Sequence, residues 1–561
     1  MKRDLGALAN RQHDLVVIGG GAFGCCAAWE AASRGLKVAL VERGDFCAAT
    51  SANHYKLVHG GVRYLQHLDL PRVRGSIQDR AALLRVAPHL VRPIPIVMPT
   101  YGHGLEGRQI LRAGLLLYDL VALDRNRGIE DPSRRIPRGR LISREQCLKR
   151  FPELRREGLT GAGVFYDGQF HNPPRLALAF LRSAVDAGAS VGNYLEATGF
   201  RVEDGRIAGV SVKDRVTGDG LEINANVVLN ACGPWAARLL RGSLGVRFRR
   251  EPRFSRDAAF AVRGRRLGDE ALACRIDTQD PDALLSRKGR HVFLAPWRDY
   301  TLVGVWHKLH SGDPDEFDVA EDELQSFLDD VNVGYPGAGL ALDDVSMVYA
   351  GLTLFGENRP DAKNLSFGKR SLLIDHATEH GIEGLVTLIG VRATTALGTA
   401  QKAVERILSK LGRRAPPSRT GWTPVHGATF ESFESLLAVV HAEHDGKYPP
   451  EVLESLVHNY GSEYSRILDY ADEAPAWAQP LDGSQTLGAQ VVHAVREEMA
   501  VSLEDVVFRR TDLASGGHPG RRALEACAAL MAAELGWDAR RAQQEIENVE
   551  ARFPRFGHRS A

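Results

Sequence analysis

One stretch near the N-terminus constrains the fold more than any other part of this 561-residue chain. It runs from Asp14 to Asp45 and reads DLVVIGGGAFGCCAAWEAASRGLKVALVERGD. An apolar run is followed by a glycine turn, a helical segment of small residues that ends near Gly35, and a second apolar run that ends at Glu42. Strand, turn, helix and strand in this order are typical of a parallel βαβ unit. The sequence therefore predicts a Rossmann-like domain of the α/β class.

The glycine turn has the spacing of a dinucleotide-binding site. Gly19, Gly21 and Gly24 form G-x-G-x-x-G, and Glu42 lies 18 residues beyond Gly24. Such glycines allow a tight turn and close approach to a pyrophosphate, the helix N-terminus supplies amide donors, and the acid can accept from ribose hydroxyls. The alternative is an ordinary tight turn without a ligand, which would not need the strand before it, the helix after it or Glu42. Because no second fingerprint follows, we expect tightly held FAD and not exchangeable NAD.

The composition argues against several classes of protein. With 71 basic and 70 acidic residues the formal net charge is +1, so we expect no nucleic-acid partner. The seven cysteines show no CxxC pair and no zinc-like spacing, so we expect no metal site and a reducing cytoplasm. The sequence has neither a signal-peptide pattern nor an apolar run long enough to span a bilayer. Any membrane contact is therefore expected to be peripheral.

The patterns along the chain predict an α/β fold, α+β overall, with a helical end. The segment SKLGRRAPPSRTGWTP has the proline and charge content of a linker, and the pattern after about 425 is helical. We predict a main region over 1–420 and a C-terminal α-helical cap domain over 421–561. In the main region, cofactor-binding segments at about 12–100, 175–240 and 345–412 would alternate with β-rich substrate-domain segments at about 100–175 and 240–345.

Longer motifs carry a resemblance to a known family. They are VVIGGGAFG, SRGLKVALVERGDFCAATS, KLVHGGVRYL, RAALLRVAPHLVRPIP, YDGQ, NACGPWA, FLAPWRDYTLVG, AGLTLFGENRP and HAVREEMAVSLEDVVFRRTDL, in this order from about residue 14 to 513. With them the chain resembles the FAD-dependent glycerol-3-phosphate dehydrogenases, flavoproteins of the glutathione-reductase and amino-acid-oxidase type. The resemblance implies FAD-dependent oxidation of sn-glycerol 3-phosphate to dihydroxyacetone phosphate by hydride transfer to the flavin.

The resemblance also assigns residues to the cofactor. The FAD contacts that it implies, together with the fingerprint, are Gly19, Gly21, Ala22, Phe23, Gly24, Glu42, Arg43, Thr50, Ser51, Lys56, Leu57, His59, Gly60, Gly61, Ala231, Gly233, Arg392, Ala393, Thr394 and Thr395. Residues 56–61 would run along the isoalloxazine ring, where backbone amides can stabilise negative charge. Without a ligand, NACGPWA would be a strand that ends in a Gly-Pro turn.

The substrate positions follow the family in part. Arg63 and Tyr64 match its substrate pair, with the guanidinium on phosphate and the phenol on the substrate. Elsewhere Thr353 stands where an arginine is expected, Arg392 replaces a lysine, and His307 replaces an aspartate. The segment RFSRDAAFAV lacks a histidine that some relatives have. These departures leave open a related enzyme for another hydroxy or amino compound, and a flavin-binding protein without catalytic activity.

The catalytic residues expected from these motifs are Arg63, Tyr64, His307 and Arg392. His307 can accept a proton near neutral pH, although it also suits a plain strand end. Arg392 would stabilise negative charge on the reacting oxygen.

The electron acceptor implied by the resemblance is a respiratory quinone at the inner face of the cell membrane. The segment GLLLYDLVAL (114–123) is apolar enough for a peripheral contact, and it equally suits a buried core helix. Oxygen as the acceptor, a homodimer, and covalent attachment of the flavin to Cys47 or His54 are left open.

Overall fold

The computed structural model describes residues 1–67, 69–103, 107–276, 290–356 and 370–554. The side chains of Arg63, Gln66, His67 and Arg290 lie outside that description.

The strands form two sheets within these residues. In chain order they are β1 Gln12–Ile18, β2 Val38–Val41, β3 Leu57–Val58, β4 Val91–Tyr101, β5 Arg140–Ser143, β6 Leu159–Phe170, β7 Ser190–Gly192, β8 Leu195–Glu203, β9 Arg206–Asp214, β10 Gly220–Asn230, β11 Phe254–Arg263, β12 Ala271–Ile276, β13 Arg290–Trp297, β14 Tyr300–His310, β15 Val345–Leu354, β16 Leu372–Asp375 and β17 Leu385–Ile389.

The helices surround the sheets and form the C-terminal part of the chain. They are α1 Leu5–Ala9, α2 Ala22–Ser33, α3 Leu70–Val86, α4 Arg108–Val121, α5 Arg144–Arg150, α6 Pro173–Asp186, α7 Ala236–Leu244, α8 Glu321–Gly334, α9 His376–His380, α10 Ala396–Lys410, α11 Phe433–Glu443, α12 Pro450–Tyr460, α13 Tyr464–Glu473, α14 Gly488–Glu498, α15 Leu503–Asp505, α16 Arg521–Leu535 and α17 Ala539–Glu550. A short 3-10 turn, Val62–His67, precedes α3.

The first sheet contains the predicted βαβ unit. Its strand order is β16-β17-β10-β1-β2-β7, and β1 pairs in parallel with both β2 and β10. Every residue of β1 except Gln12 is buried. Helix α2 packs between the sheet, α6 and α10, so it is buried around most of its circumference and carries small residues such as Ala27 and Ala28. The predicted α/β class and Rossmann-like unit are confirmed.

The second sheet has the order β15-β11-β14-β13-β12-β4-β6-β3, with β5 beside β6. Its neighbours pair antiparallel except β12 and β4. Three strands of this sheet lie in segments that the sequence analysis placed with the cofactor, and the short β3, which pairs with β6, is one of them. The other two are β4, and β15, which pairs with β11 along its length. Long-range pairing decides this membership, and the local pattern of a strand does not reveal it.

The C-terminal helices pack against the second sheet. One hydrophobic core joins Trp297 of β13 to Val491 of α14 and Cys527 of α16. A second, smaller core around Leu456 and Ile467 lies among α11–α14. In the described part of the chain, no helix has both the length and the apolar character needed to cross a bilayer.

Candidate active site

A cavity of about 1780 Å³ is lined by residues of both sheets. Most of the residues predicted from the sequence meet on its wall, namely Gly19, Gly21, Ala22, Phe23, Glu42, Arg43, Thr50, Ser51, Leu57, His59, Gly61, Tyr64, Ala231, Gly233, Arg392, Ala393 and Thr394. Of the other predicted residues with described side chains, Gly24, Lys56, Gly60, Thr395 and His307 do not contribute to the wall. The side chain of Arg63 lies outside the described part of the chain.

The glycine turn brings β1 and α2 into very close contact. Gly19 has a φ of +107°, a conformation that favours glycine. A Cβ on Gly24 would lie 1.9 Å from the carbonyl oxygen of Gly19, so only glycine fits there. The hydroxyl of Ser51 accepts from the amide of Ala22 at 2.9 Å, which ties the predicted cofactor loop to the start of α2.

Glu42 directly follows β2 and lies beside this turn. Its carboxylate accepts from the amides of Gly20 at 2.6 Å and Gly44 at 2.9 Å. Burial raises the pKa of Glu42, and the two amides act in the opposite direction. Because the carboxylate also lines the cavity, it remains available at the wall. Nearby, Arg43 donates to Asp315 at 2.5 Å at the cavity rim.

Gly60 is held by a buried network that the sequence did not predict. Its amide donates to Oδ1 of Asp167 at 2.6 Å, and Arg80 Nη1 donates to the same oxygen at 2.7 Å. The Tyr118 hydroxyl donates to the carbonyl of Gly60 at 3.1 Å. A Cβ on Gly60 would lie 2.0 Å from Arg80 Nη1, and Gly61 has a φ of +85°. Both glycines are therefore required by the backbone of the HGG segment. The motif YDGQ contains Asp167, but its partner Arg80 has no local signal.

Tyr64 lies between two guanidinium groups on the cavity wall. Arg392 Nη1 donates to the Tyr64 hydroxyl. The Cζ atoms of Arg72 and Arg392 lie 3.9 and 4.8 Å from the centroid of the Tyr64 ring. Burial lowers the pKa of Arg392 to about 10, so it stays charged at neutral pH. Arg72 was not predicted from the sequence. It stands three residues into α3, where it resembles any charged residue on a helix surface.

His307 lies behind the cavity wall, and Asp257 lies on it. The two residues face each other across β11 and β14, and His307 Nδ1 is 2.8 Å from Asp257 Oδ1. The His307 side chain is only 2% exposed, whereas the Asp257 side chain is 20% exposed. Thr353, on the neighbouring strand β15, also lines the cavity. His307, the proton acceptor predicted from the sequence, therefore contacts Asp257 and does not itself line the cavity. Asp257 was not among the predicted site residues.

Lys56 and Thr395 turn away from the cavity. Lys56 Nζ lies 3.3 Å from the ring centroid of Tyr349 and 4.9 Å from that of Trp297, and burial lowers its pKa. Thr395 donates from its hydroxyl to the carbonyl of Arg392 at 3.1 Å. Any contact of Lys56 with a flavin would then come from its backbone, as the sequence interpretation supposed.

The residues present fit FAD. The cavity extends from the glycine turn to Arg392 and is large enough for a dinucleotide and a small substrate. Two buried nitrogens on its wall, His54 Nε2 and Arg392 Nε, have no hydrogen-bond partner among the described residues. Buried polar atoms are rarely left unpaired in folded proteins, so these atoms indicate a polar ligand. Burial, followed by the charge of Lys56, lowers the pKa of His54 to about 3. Among the residues that the structure covers, no cluster of His, Cys, Asp and Glu is suited to a metal ion.

Comparison with known proteins shows the class to which this fold and cavity belong. Residues 14–406 match the model of the FAD dependent oxidoreductase family, and residues 418–542 match the C-terminal domain of alpha-glycerophosphate oxidase. The chain is thus an FAD-dependent oxidoreductase, which confirms the FAD predicted from the sequence.

The relatives place it more narrowly. The glycerol-3-phosphate dehydrogenase of Synechocystis sp. is 29% identical over 562 residues, which cover 97% of each chain. The probable mitochondrial glycerol-3-phosphate dehydrogenase of Caenorhabditis elegans is 30% identical, over 96% of this chain and 73% of that protein. The chain belongs to the glycerol-3-phosphate dehydrogenase family. The structure of the Bacillus halodurans glycerol-3-phosphate dehydrogenase complexed with FAD has the same fold, with a TM-score of 0.75, 24% identity, and coverage of 98% of this chain and 95% of that one.

Proposed function

We propose that this protein uses bound FAD to oxidise sn-glycerol 3-phosphate to dihydroxyacetone phosphate. The observation that carries the proposal is the cluster of Arg72, Tyr64 and Arg392 on the wall of the cavity that also contains the glycine turn. The names of the relatives agree with this substrate. The cluster supplies a phosphate site although Thr353 stands where the family has an arginine.

The cluster has the chemistry that a phosphate monoester needs. Guanidinium groups donate in a planar fork that matches phosphate oxygens, and two of them balance a dianion. Arg392 is partly buried yet charged at neutral pH, so its interaction with an anion is less screened by solvent than that of an exposed arginine. We assign the phosphate group to Arg72 and Arg392, and a hydrogen bond to the Tyr64 hydroxyl. A role for Arg63 stays a prediction.

The remaining wall residues orient the substrate and exclude water. The flavin, when bound, supplies the hydride acceptor. Met98, Leu111, Leu115 and Phe165 form an apolar part of the wall, which keeps water from the reacting carbon. The amides of the HGG segment are fixed by Asp167 and by Thr394, whose hydroxyl accepts from the amide of His59 at 3.2 Å. These bonds fix the backbone segment that the family resemblance assigns to the isoalloxazine ring.

An anaerobic titration tests the substrate. We expect glycerol 3-phosphate to bleach the flavin absorbance of the purified protein, and glycerol and simple amino acids not to do so. Bleaching only by another hydroxy or amino compound would contradict the phosphorylated substrate, and no bleaching by any compound would support a binding protein.

Substitution of Arg72 tests the phosphate site. We expect Arg72→Gln to raise KM for glycerol 3-phosphate by about 10- to 100-fold, because a charge-assisted contact to phosphate is lost. Arg74→Gln is the matched control, since Arg74 lies on the same helix but pairs with Asp124 outside the cavity. Equal KM values for the two variants would remove Arg72 from the site.

We further propose that the electrons pass to a quinone at the inner face of the cell membrane. On and just after α4, Leu116, Leu120 and Leu123 are 61%, 64% and 69% exposed, a solvent-facing apolar patch rare on soluble proteins. Ile110 is exposed on the same helix and also lines the cavity. Helix α4 thus carries both the exposed leucines and a residue of the cavity wall, which suits a lipophilic acceptor.

Two measurements test this acceptor. We expect Leu116→Ser with Leu120→Ser to weaken co-sedimentation with phosphatidylglycerol vesicles, while Val439→Ser, an exposed apolar position on α11, leaves it unchanged. Turnover with a soluble quinone should exceed peroxide formation. Equal vesicle binding by all variants would contradict the α4 contact, and dominant peroxide formation would indicate an oxidase. The homodimer stays a prediction that light scattering can test.

A further inference from the structure

We propose that Asp257 receives the proton of the substrate hydroxyl, and that His307 positions its carboxylate for this role. Asp257 lies on β11 and lines the cavity. Its two hydrogen bonds within the described residues both go to Oδ1, from the Ser255 hydroxyl at 2.6 Å and from His307 Nδ1 at 2.8 Å. The carboxylate is thus held from one side and exposed to the cavity.

The position of Asp257 in the sheet brings it next to the cofactor loop. Its partner across β15 is Gly351. A Cβ on Gly351 would lie 2.8 Å from Thr50 Cγ2, and the amide of Leu352 donates to Thr50 Oγ1 at 3.1 Å. Thr50 and Ser51 belong to the loop that caps the first amide of α2. The strand β15 therefore contacts the Thr50–Ser51 loop at the residue that pairs with Asp257.

His307 acts through Asp257 and not on the substrate. It is opposite Asp257 in the register of β11 and β14, and its side chain is almost fully buried. An ionised carboxylate only accepts hydrogen bonds, so His307 Nδ1 is the donor. This bond holds Oδ1 of Asp257 in place. The carboxylate can then accept a proton from a substrate in the cavity that Asp257 lines.

The charges around Asp257 suit a hydroxyl and not a phosphate. Arg256, its neighbour on β11, is directed at Asp318 and Glu323. Asp315, Asp318 and Glu321 line the same cavity from the segment before and at the start of α8, and His307 faces Asp257 from β14. Arg43 and Arg238, which also line the cavity, pair with Asp315. On β15, beside the strand that carries Asp257, Thr353 stands in place of a cation. The phosphate is then held at Arg72 and Arg392, and the hydroxyl end of the substrate lies at Asp257.

The step balances without an additional reagent. The O–H bond of the secondary alcohol breaks and its proton moves to Asp257. The C–H bond breaks with its electron pair, the hydrogen leaves as the hydride that FAD accepts in the proposed function, and the C–O bond becomes a carbonyl. The proton then returns to water from Asp257 on the cavity wall.

The inference rests on the proposed function, so its test begins with the wild type. The compound that bleaches the wild-type flavin is used for all variants. If that compound is not glycerol 3-phosphate, the proposed substrate is refuted, and the role of Asp257 is tested with the compound that does bleach the flavin. We expect Asp257→Asn to slow anaerobic flavin reduction by about 10²- to 10⁴-fold, the usual contribution of a general base. Asp257→Glu should recover part of this loss, and His307→Gln should lose about 10-fold.

Two readouts separate catalysis from folding. Asp257→Asn should keep the FAD content of the wild type and bind dihydroxyacetone phosphate with a Kd within about threefold. Asp344→Asn, a carboxylate paired with Arg266 away from the cavity, is the control. Reduction of Asp257→Asn at the wild-type rate, or loss of FAD or product binding in that variant, would overturn the proposal, as would a wild type that no compound reduces.

Discussion

At the scale of single residues, the buried carboxyl of Asp79 has a pKa that is set by its surroundings. Asp79 on α3 contacts the first turn of α10, where the amide of Gly398 donates to its carboxylate. Burial raises the pKa of Asp79 to about 7, although the Gly398 amide and Lys402 act in the opposite direction. The first turn of α10, which this carboxyl contacts, comes directly after the segment 392–395 of the candidate site. Its charge state therefore couples pH to the packing of α10.

Asp79→Asn should make stability less dependent on pH. The folded-state pKa is raised above the value of about 3.9 expected in the unfolded chain, so the stabilising contribution is complete at low pH and is lost as pH rises through 7. Between pH 5 and pH 8 we expect the free energy of unfolding of the wild type to fall by about 2–3 kcal/mol relative to the variant. Urea denaturation at several pH values measures this. Asp472→Asn, at an exposed pair with Lys447, is the control, and parallel curves for wild type and Asp79→Asn would contradict the shift.

At the scale of elements, helix boundaries and contacts depend on more than periodicity. The segment IQDRAALLRVAPHL (77–90) has a helical pattern of residues, but α3 begins at Leu70 and ends at Val86. The Asp69 side chain accepts from the amide of Arg72 at 3.2 Å, and Pro71 stands in the first turn. This N-cap followed by proline is a recognised start signal that the apolar pattern alone does not contain. Because the helix starts earlier, Arg72 reaches the cavity.

Gly24→Ala should separate β1 from α2. The new Cβ would lie 1.9 Å from the carbonyl oxygen of Gly19, so the helix must shift and its N-terminus move away from the turn. We expect FAD affinity to fall more than 10-fold, as measured by fluorescence titration of the apoprotein. Gly75→Ala is a matched control in the middle of α3, with no atom within 4 Å of the new Cβ. It should keep its FAD and gain about 0.5–1 kcal/mol of stability. Normal FAD binding by Gly24→Ala would count against this packing.

At the scale of the whole molecule, the C-terminal helices are joined to the cofactor region by buried charges. Arg510 donates to both carboxylate oxygens of Asp45 at 2.7 Å, and Arg509 donates to the same group at 2.5 Å. Burial alone would raise the pKa of Asp45, but Arg510 and Arg509 hold it well below its usual range. Asp45 lies two residues before Cys47–Ser51, whose residues line the cavity. The family motif containing FRRT therefore supports the cofactor loop from outside.

Asp45→Asn should weaken both the fold and cofactor binding. Removal of one partner leaves buried guanidinium charges uncompensated, which costs about 3–5 kcal/mol. We expect a lower midpoint in urea and a raised Kd for FAD, with partial recovery in the double variant Asp45→Asn with Arg510→Gln. Arg521→Gln removes an exposed pair with Glu550 and should cost at most about 1 kcal/mol. A cost for Asp45→Asn no larger than that of Arg521→Gln would contradict the role of the buried pair.

The sequence by itself determined the βαβ unit, the glycine turn with Glu42, the FAD class and the family, because these depend on short-range patterns and on motifs. Only the tertiary structure decided which groups meet at the cavity. Arg72 joins Arg392 at Tyr64 from 320 positions away along the chain. Asp257 stands in front of His307 because two strands pair in one register and not another. Such contacts are fixed by burial, strand register and charge pairing over long sequence separations, and no local pattern of residues encodes them.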